Sequence, residues 1–257
     1  MTALMTAEWI KIRSLRSTIW MLVLTVALSV GLAYLFGSSF RAGFDGMTAQ
    51  ARASFDPLFA TFYSLTLGQL ALVVLAAFVV TGEYSTGTIS TSLVAVPRRG
   101  RFFGGKVLAG GLLAVAVALV TVPATFAAAQ AGLGPHGTTF TSAGAPEAAL
   151  GACLYLTLIY LFATGVAMVL RGPIPTLALL LPLLFLGSQG LGNVPRVKAV
   201  AQYLPDQAGM VVMHLAGPAG DPRFGRPYGP WLGLGIMALW TGAALLAGYV
   251  ALRHRDA

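Results

Sequence analysis

Residues 82–106 read GEYSTGTISTSLVAVPRRGRFFGGK and separate two long apolar blocks of the chain. This polar segment carries a dense group of basic residues: Arg98, Arg99, Arg101 and Lys106. It is too long for a simple turn and too short for a domain. Basic connections between apolar blocks are typical of loops at the inner surface of a membrane. We predict that this loop contacts another protein; a basic loop without a partner is the alternative.

The composition excludes a water-soluble globule. Of the 257 residues, 57% are hydrophobic and only 9% are charged, whereas soluble domains carry about a quarter of charged residues. So much apolar surface requires the bilayer as solvent, and we predict an all-α integral membrane protein. The single cysteine, Cys153, forms no intrachain disulfide, and one cysteine is no metal site.

Six apolar blocks predict six transmembrane helices, because about 20 residues cross the hydrocarbon layer. They span residues 18–37, 58–80, 107–130, 149–170, 174–191 and 231–252. Residues 1–257 therefore form a single transmembrane domain, in which residues 192–230 make a long outer loop. Small residues in these blocks should let helices approach closely; they include Gly110, Gly111, Gly165, Gly242 and Gly248.

The distribution of basic residues predicts the orientation. Most of the 16 lysines and arginines lie in the N-terminus, in residues 82–106, at Arg171 and in the C-terminus. By the positive-inside rule these parts, with both termini, are cytoplasmic. The net charge of +8 then belongs to the anionic inner leaflet and to cytoplasmic partners. No nucleic-acid-binding motif accompanies it, so we expect no nucleic-acid partner.

Residues 4–17 predict an amphipathic helix on the inner membrane surface, with Trp9 at headgroup depth. A solvated basic segment that only sets the orientation is the alternative. The expected anchors at the inner surface are Trp9, Lys11, Arg13, Arg16, Arg98, Arg99, Arg101 and Lys106.

The phosphate-loop pattern is incomplete. Residues 100–107, GRFFGGKV, match G-x-x-x-x-G-K, but Val107 replaces the Ser or Thr that binds magnesium. No strand precedes the segment, and a membrane span follows it. We therefore predict that this chain does not hydrolyse ATP.

Polar groups at membrane depth are few. Gln69 and Gln189 could line a pathway, although glutamine commonly hydrogen-bonds a neighbouring helix instead. In the outer loop, residues 206–215 predict a short helix capped by Asp206. Met210, Met213 and His214 are a weak candidate Cu(I) site; an apolar helix face is the alternative.

Three motifs together resemble the permease subunit of ABC transporters of the type-2 exporter family. They are EWIKIRSLRST at 8–18, GEYSTGTI at 82–89 and PRRGRFFGGK at 97–106. The six-span layout and the long final outer loop also fit. The resemblance implies a short coupling helix at about 83–96 that docks on a separate ATPase. The coupling residues would be Glu83, Tyr84, Gly87, Thr88, Ile89 and Leu93.

The resemblance also implies partners and a location. Two cytoplasmic ABC ATPase subunits would bind ATP and magnesium, so the chain itself would be no enzyme and carry no cofactor. A second permease, identical or related, would complete the complex in the bacterial cytoplasmic membrane. We expect outward transport of an amphipathic or lipid-like drug, antibiotic or peptide. The alternatives are a non-transporting membrane assembly protein and a copper-related permease.

Overall fold

The structure is a computed structural model that describes residues 6, 9–10, 16–96, 98–217 and 221–254. Within these ranges the regular structure is helical and contains no strand. The α-helices are α1 Arg16–Gly43, α2 Ala49–Ala53, α3 Pro57–Phe62, α4 Leu65–Ser85, α5 Thr88–Ala95, α6 Arg99–Leu133, α7 Ala145–Leu170, α8 Pro173–Ser188, α9 Lys198–Ala201, α10 Pro205–Gly209 and α11 Pro230–His254. The all-α prediction is confirmed.

Five helical segments of the described chain are long and apolar enough to cross a membrane. They are Ser17–Gly46, Pro57–Ser85, Arg99–His136, Ala145–Leu170 and Pro230–His254. The block predicted as the fifth span, 174–191, forms the shorter helix α8 of 16 residues. The chain is therefore a multi-pass membrane protein with five clear spanning helices.

The helices extend beyond the apolar blocks that predicted them. Helix α6 has 35 residues and so measures about 52 Å, whereas the block 107–130 predicts only its apolar part. Hydropathy detects the hydrocarbon layer, but backbone hydrogen bonding continues through the basic residues that precede it. The helix also runs through Pro123.

Local sequence explains where several helices begin and end. Helix α3 begins at Pro57 after Asp56, whose side chain accepts a hydrogen bond from the Leu58 amide. Helix α5 follows Gly87, which has φ +70°, a conformation that glycine adopts without strain. The connection between α7 and α8 is very short, since α7 ends at Leu170 and α8 begins at Pro173.

Close helix crossings hold the bundle together. Helix α1 packs along α6, where a Cβ on Gly132 would lie 2.5 Å from the Tyr34 carbonyl oxygen. Helix α7 packs along α11, where a Cβ on Gly165 would lie 2.5 Å from the Ala244 carbonyl carbon. The expected close approach is confirmed at Gly165, whereas nothing lies within 4 Å of a Cβ on Gly242.

The core lies between α4, α6, α7 and α11, and the outside of the bundle is equally apolar. Tyr155, Leu72 and Met237 are fully buried in the central cluster. On the outside, Trp20, Leu119 and Leu239 are more than half exposed. Helices that are apolar on all sides are expected where lipid surrounds the protein.

The predicted helix at 206–215 is only partly correct. Helix α10 covers Pro205–Gly209, a 3-10 helix covers Met210–Met213, and Asp206 makes no capping hydrogen bond. The prediction was wrong because Pro205 already occupies the first helical position, where its fixed φ favours helix initiation. All residues of α10 are buried, so this outer segment folds back into the bundle and packs against α7, α8 and α11.

Candidate functional sites at the two ends of the bundle

A buried ion pair joins the two sides of the 82–106 segment. Lys106 Nζ in α6 lies 3.0 Å from Glu83 Oε1 in α4, and the two side chains are only 3% and 9% exposed. Lys106 also lies over the Phe102 ring, 5.7 Å from its centroid. Buried charges need such pairing, because desolvation of a single ion costs several kcal/mol. The pair therefore fixes α4 and α6 relative to each other where the segment leaves the bundle.

Two arginines connect further helix ends to this ion pair. The Arg171 guanidinium stacks over Tyr84 at 5.3 Å, and its Nη2 donates to the Ala251 carbonyl at 2.8 Å. Arg99 Nη1 donates to the Leu252 and Arg253 carbonyls at 2.7 and 2.9 Å. The last carbonyls of a helix have no partner within it, and a cation there also suits the helix dipole. We call this region, with the ends of α4, α6, α7 and α11, the basic end.

Helix α5 presents two different faces at the basic end. Ile89 is only 2% exposed and packs in a cluster with Val80, Phe102, Ala167, Met168 and Leu252. In contrast, Ser90 and Thr91 are exposed, and Val94 is 82% exposed. One face of α5 is therefore attached to four long helices, while the other remains available. Nothing is described of the Leu93 side chain, and Pro97 lies outside the described residues.

The predicted surface anchors have different surroundings. Arg98, Arg101 and Trp9 are exposed, and Arg99 is half-buried at the end of α11. The expectation that Lys106 lies among lipid headgroups is corrected by its burial against Glu83. The predicted interfacial helix at 4–17 falls mostly outside the described residues, as do Lys11, Arg13 and the side chain of Arg16.

Residues 100–107 are helical, which agrees with the absence of a phosphate loop. They lie in the first turns of α6, where the amides of Arg101 and Phe102 donate to the Arg98 carbonyl and the following amides donate to carbonyls of the same helix. Lys106, the lysine of the partial motif, forms an ion pair with Glu83. The segment therefore offers no cradle for a nucleotide phosphate.

The opposite end of the bundle contains a cavity of about 1100 Å³, which we call the outer cavity. Its wall combines aromatic and polar side chains from the segment before α4, the end of α8 and the segment between α8 and α11. The aromatic residues include Phe40, Phe55, Phe59, Tyr63 and Tyr228, and the polar ones include Asp56, Gln189, Gln207, His214, Asp221 and Arg226. This mixture suits an amphipathic ligand.

Asp56 and His214 form an ion pair at this cavity. His214 Nδ1 lies 2.7 Å from Asp56 Oδ2, and the Leu58 amide donates to Asp56 Oδ1 at 2.8 Å. The hydrogen bond to Asp56 raises the pKa of His214. Burial raises the pKa of Asp56, but its hydrogen bonds with His214 and Leu58 outweigh burial and leave it lowered. The pair joins the segment between α8 and α11, which contains His214, to the start of α3.

A polar network surrounds the buried helix α10. Gln207 Nε2 donates to the Gly187 carbonyl and to Asp206 Oδ2, both at 2.9 Å, while Gln207 Oε1 accepts from the Gly192 amide at 3.2 Å. A Cβ on Gly187 would lie 1.7 Å from Asp206 Oδ2, so any larger residue there would displace the Asp206 carboxylate. Burial raises the pKa of Asp206 to about 6. The network holds α10 against the end of α8.

The two glutamines predicted at a pathway differ in their environment. Gln69 is fully buried, donates to the Thr66 carbonyl at 3.0 Å, and accepts a hydrogen bond from the Tyr155 hydroxyl of α7. Its amide therefore serves helix packing, as the alternative expects. Gln189 is exposed and lines the outer cavity.

The candidate copper ligands are spread over two environments. Met210 and Met213 are buried in the central apolar cluster, whereas His214 is half-exposed and paired with Asp56. The described residues contain no group of three or more His, Cys, Asp or Glu side chains that could hold a metal ion. Copper binding remains a sequence prediction.

Most residues that shape the outer cavity were not expected there from the sequence: Gln189 is a predicted pathway residue, whereas Met210 and His214 were considered only as copper ligands. Asp56 and His214 are 158 positions apart, and no periodicity relates such distant positions. Gln207 and Arg226 gave no signal either, because the segment between α8 and α11 was interpreted as a loop outside the bundle. Asp56 followed by Pro57 is a local helix-start signal, but it does not reveal the partner.

Comparison with protein families gives one match. Residues 4–187 match the family described as "ABC-2 family transporter protein". The match covers well over half of the chain and includes the segment 82–106, but not α11. A search of curated proteins finds no match to this chain.

Proposed function

Because this chain belongs to the ABC-2 family of transporter proteins, we propose that it is the membrane-spanning permease subunit of an ATP-driven exporter. It works with two cytoplasmic ABC ATPase subunits, which bind ATP and magnesium, and with a second permease copy. It lies in a bacterial cytoplasmic membrane with the basic end and both termini inside. The cargo is an amphipathic or lipid-like molecule that moves outward.

The observation that carries this proposal is the two-faced helix α5. Its exposed face, with Val94, offers an apolar contact to an ATPase, and its buried Ile89 contacts the cluster shared by α4, α6, α7 and α11. A displacement of α5 on ATP binding would therefore displace all four helices. The Glu83–Lys106 pair makes the two flanking helices respond together. ATP changes the permease only if its binding favours one arrangement over the other.

Helix α8 serves as a short sixth span in this proposal. Its 16 residues measure about 24 Å, less than the hydrocarbon thickness of about 30 Å. The remaining depth is occupied by α10, which packs against α8 and buries its own polar groups in the Gln207 network. Irregular backbone at membrane depth is tolerated where protein surrounds it.

The coupling test compares Val94→Asp with Val200→Asp in complexes purified in mild detergent after co-expression with a candidate ABC ATPase subunit. Both valines are strongly exposed, at 82% and 76%, but Val200 lies in the outer segment. We expect Val94→Asp to reduce the retained ATPase at least tenfold, because a charge is placed in an apolar contact. Val200→Asp should retain the ATPase at the wild-type level.

A second variant separates binding of the ATPase to α5 from the transfer of its movement to the long helices. Ile89→Ala leaves the exposed face of α5 unchanged but removes the buried contact, so it should retain the ATPase while reducing cargo-stimulated ATP hydrolysis severalfold. Membrane insertion and the thermal midpoint are measured in parallel, with Ile89→Val as the milder change. If neither the wild type nor Val200→Asp retains any ATPase, the exporter proposal is wrong.

A further inference from the structure

Arg226 is a half-buried cation in the wall of the outer cavity. Its Nη1 reaches only two carbonyls of its own segment, Phe224 at 3.2 Å and Gly225 at 3.4 Å. Its Nη2 lies 3.5 Å from Gln207 Oε1, and its Nε is shielded from solvent without a hydrogen-bond partner. A guanidinium has five N–H donors in one plane, so much of this donor capacity is unused or weakly used.

The carboxylates of the same cavity are engaged elsewhere. Asp56 accepts from His214 and Leu58, and Asp221 Oδ1 accepts from the Arg223 and Phe224 amides at 2.7 and 2.8 Å. Within the described ranges, no carboxylate lies at ion-pair distance from Arg226. Burial lowers the pKa of Arg226, and the neighbouring Tyr228 offsets this effect only in part, so compensation of the charge is incomplete. An anion in the cavity would supply that compensation.

The remainder of the wall suits an apolar group. The rings of Phe40 and Phe55 are tilted with centroids 5.7 Å apart, and Phe59 stacks on Tyr63 with centroids 5.5 Å apart. The volume of about 1100 Å³ slightly exceeds the range of about 300–1,000 Å³ that is usual for ligand cavities. The cavity thus combines an uncompensated cation with a large aromatic surface.

We propose that the outer cavity binds an amphipathic molecule with a phosphate or carboxylate headgroup, with Arg226 contacting the anion and the aromatic wall contacting the apolar part. This inference rests on the proposed function, because it names the class of cargo. A phospholipid of the outer leaflet shares the same chemistry, and the experiment separates the two sources. Gln207 supports the site by holding its Oε1 toward Arg226 while its Nε2 donates to Gly187 and Asp206.

The test is calorimetric titration of decyl phosphate into the full chain in phosphatidylcholine nanodiscs, with empty nanodiscs subtracted. Arg226→Gln should raise Kd at least tenfold, because a charge-assisted hydrogen bond is lost. Arg223→Gln is the matched control: Arg223 is exposed in the same segment and loses the same charge, so its Kd should stay at the wild-type value. Arg226→Lys keeps the charge and should retain most of the binding, even if Arg226→Gln folds poorly.

Further probes identify the ligand. Inorganic phosphate alone should bind at least tenfold more weakly than decyl phosphate, since the aromatic wall then contributes nothing. If phosphatidylglycerol in the nanodisc displaces decyl phosphate from the wild type, a leaflet lipid occupies the site. If it does not, a non-lipid anionic amphipath does.

Equal Kd values for folded Arg226→Gln and wild type would overturn the inference, and so would equally tight binding of decyltrimethylammonium. The titration requires no ATPase. Failure of the exporter proposal, tested at α5, and failure of this site are therefore separate outcomes.

Discussion

His214 and Asp56 show how two residues tie distant segments together. The hydrogen bond to Asp56 raises the pKa of His214 above 6.5, while the pKa of Asp56 is lowered below 3.8. The histidine contribution to stability is fully present below its unfolded pKa of about 6.5 and is lost as the pH rises through its folded pKa. The aspartate contribution is present above its unfolded pKa and is lost as the pH falls through its folded pKa. The pair therefore stabilises most between about pH 4 and 6.5.

We expect His214→Asn to lower the thermal midpoint at pH 5.5 and to approach the wild type at pH 9. Asparagine suits the position, because His214 has φ +61° and asparagine tolerates this region. Both side chains are more than a third exposed, so solvent screening limits the loss to about 1 kcal/mol or less.

Thermal unfolding of the detergent-solubilised chain from pH 5 to 9 gives the measurement for this pair. His254→Asn is the control, since His254 is exposed at the end of α11. The difference in thermal midpoint between His254→Asn and the wild type should not follow the pH dependence expected for His214→Asn. A midpoint difference for His214→Asn that stays constant across the range would show that the charged pair does not contribute.

At the scale of elements, the close crossing of α7 and α11 depends on Gly165. Gly242, in α11, provides the control position for a substitution experiment. A Cβ on Gly165 would lie 2.5 Å from the Ala244 backbone, whereas a Cβ on Gly242 would meet nothing within 4 Å. Gly165→Ala must push the helices apart and should destabilise by about 1–3 kcal/mol, as overpacking does. Gly242→Ala should stabilise by about 0.5–1 kcal/mol, since alanine is the better helix former.

Denaturation of the two variants in mixed micelles tests this sign difference. Both replace a glycine in the interior of a long helix by alanine, so differences in unfolded-state entropy largely cancel. Equal shifts of the same sign would mean that α7 and α11 do not cross as closely as described.

The elements themselves were predictable to different degrees. Apolar runs predicted the helices correctly, because a bilayer requires backbone hydrogen bonds to close within each span. Helix ends were less predictable, since Arg99 and Lys106 extend α6 by tertiary contacts with α11 and Glu83. The buried position of α10 was not predictable at all. Pro205 and Asp206 are typical of an outer loop, and the Gln207 network is what compensates for the burial of Asp206.

At the scale of the whole molecule, polar contacts are concentrated at the two ends, and packing of apolar and small residues dominates between them. The basic end was indicated by its arginines and by Glu83 and Tyr84, although their partners were not. The outer cavity was not predicted, because it depends on Asp56, His214 and Arg226 meeting from separate parts of the chain. A residue pattern reports one element at a time, whereas this cavity exists only after the elements have packed.

The Glu83–Lys106 pair is the contact at the basic end whose removal should affect the whole bundle. Glu83→Gln or Lys106→Met alone removes one ion-pair contact of a buried charge and should destabilise by up to about 3–5 kcal/mol. The double variant removes both charges together and should fall within about 1 kcal/mol of the wild type, since a buried pair often roughly balances its desolvation cost.

A double-mutant cycle on the free energy of unfolding in mixed micelles measures this coupling. Additive losses would mean that the two charges are stabilised separately and that α4 and α6 are held together by the apolar cluster that contains Val80 and Phe102. A large coupling energy would instead identify the pair as the contact that holds α4 and α6 together on both sides of α5.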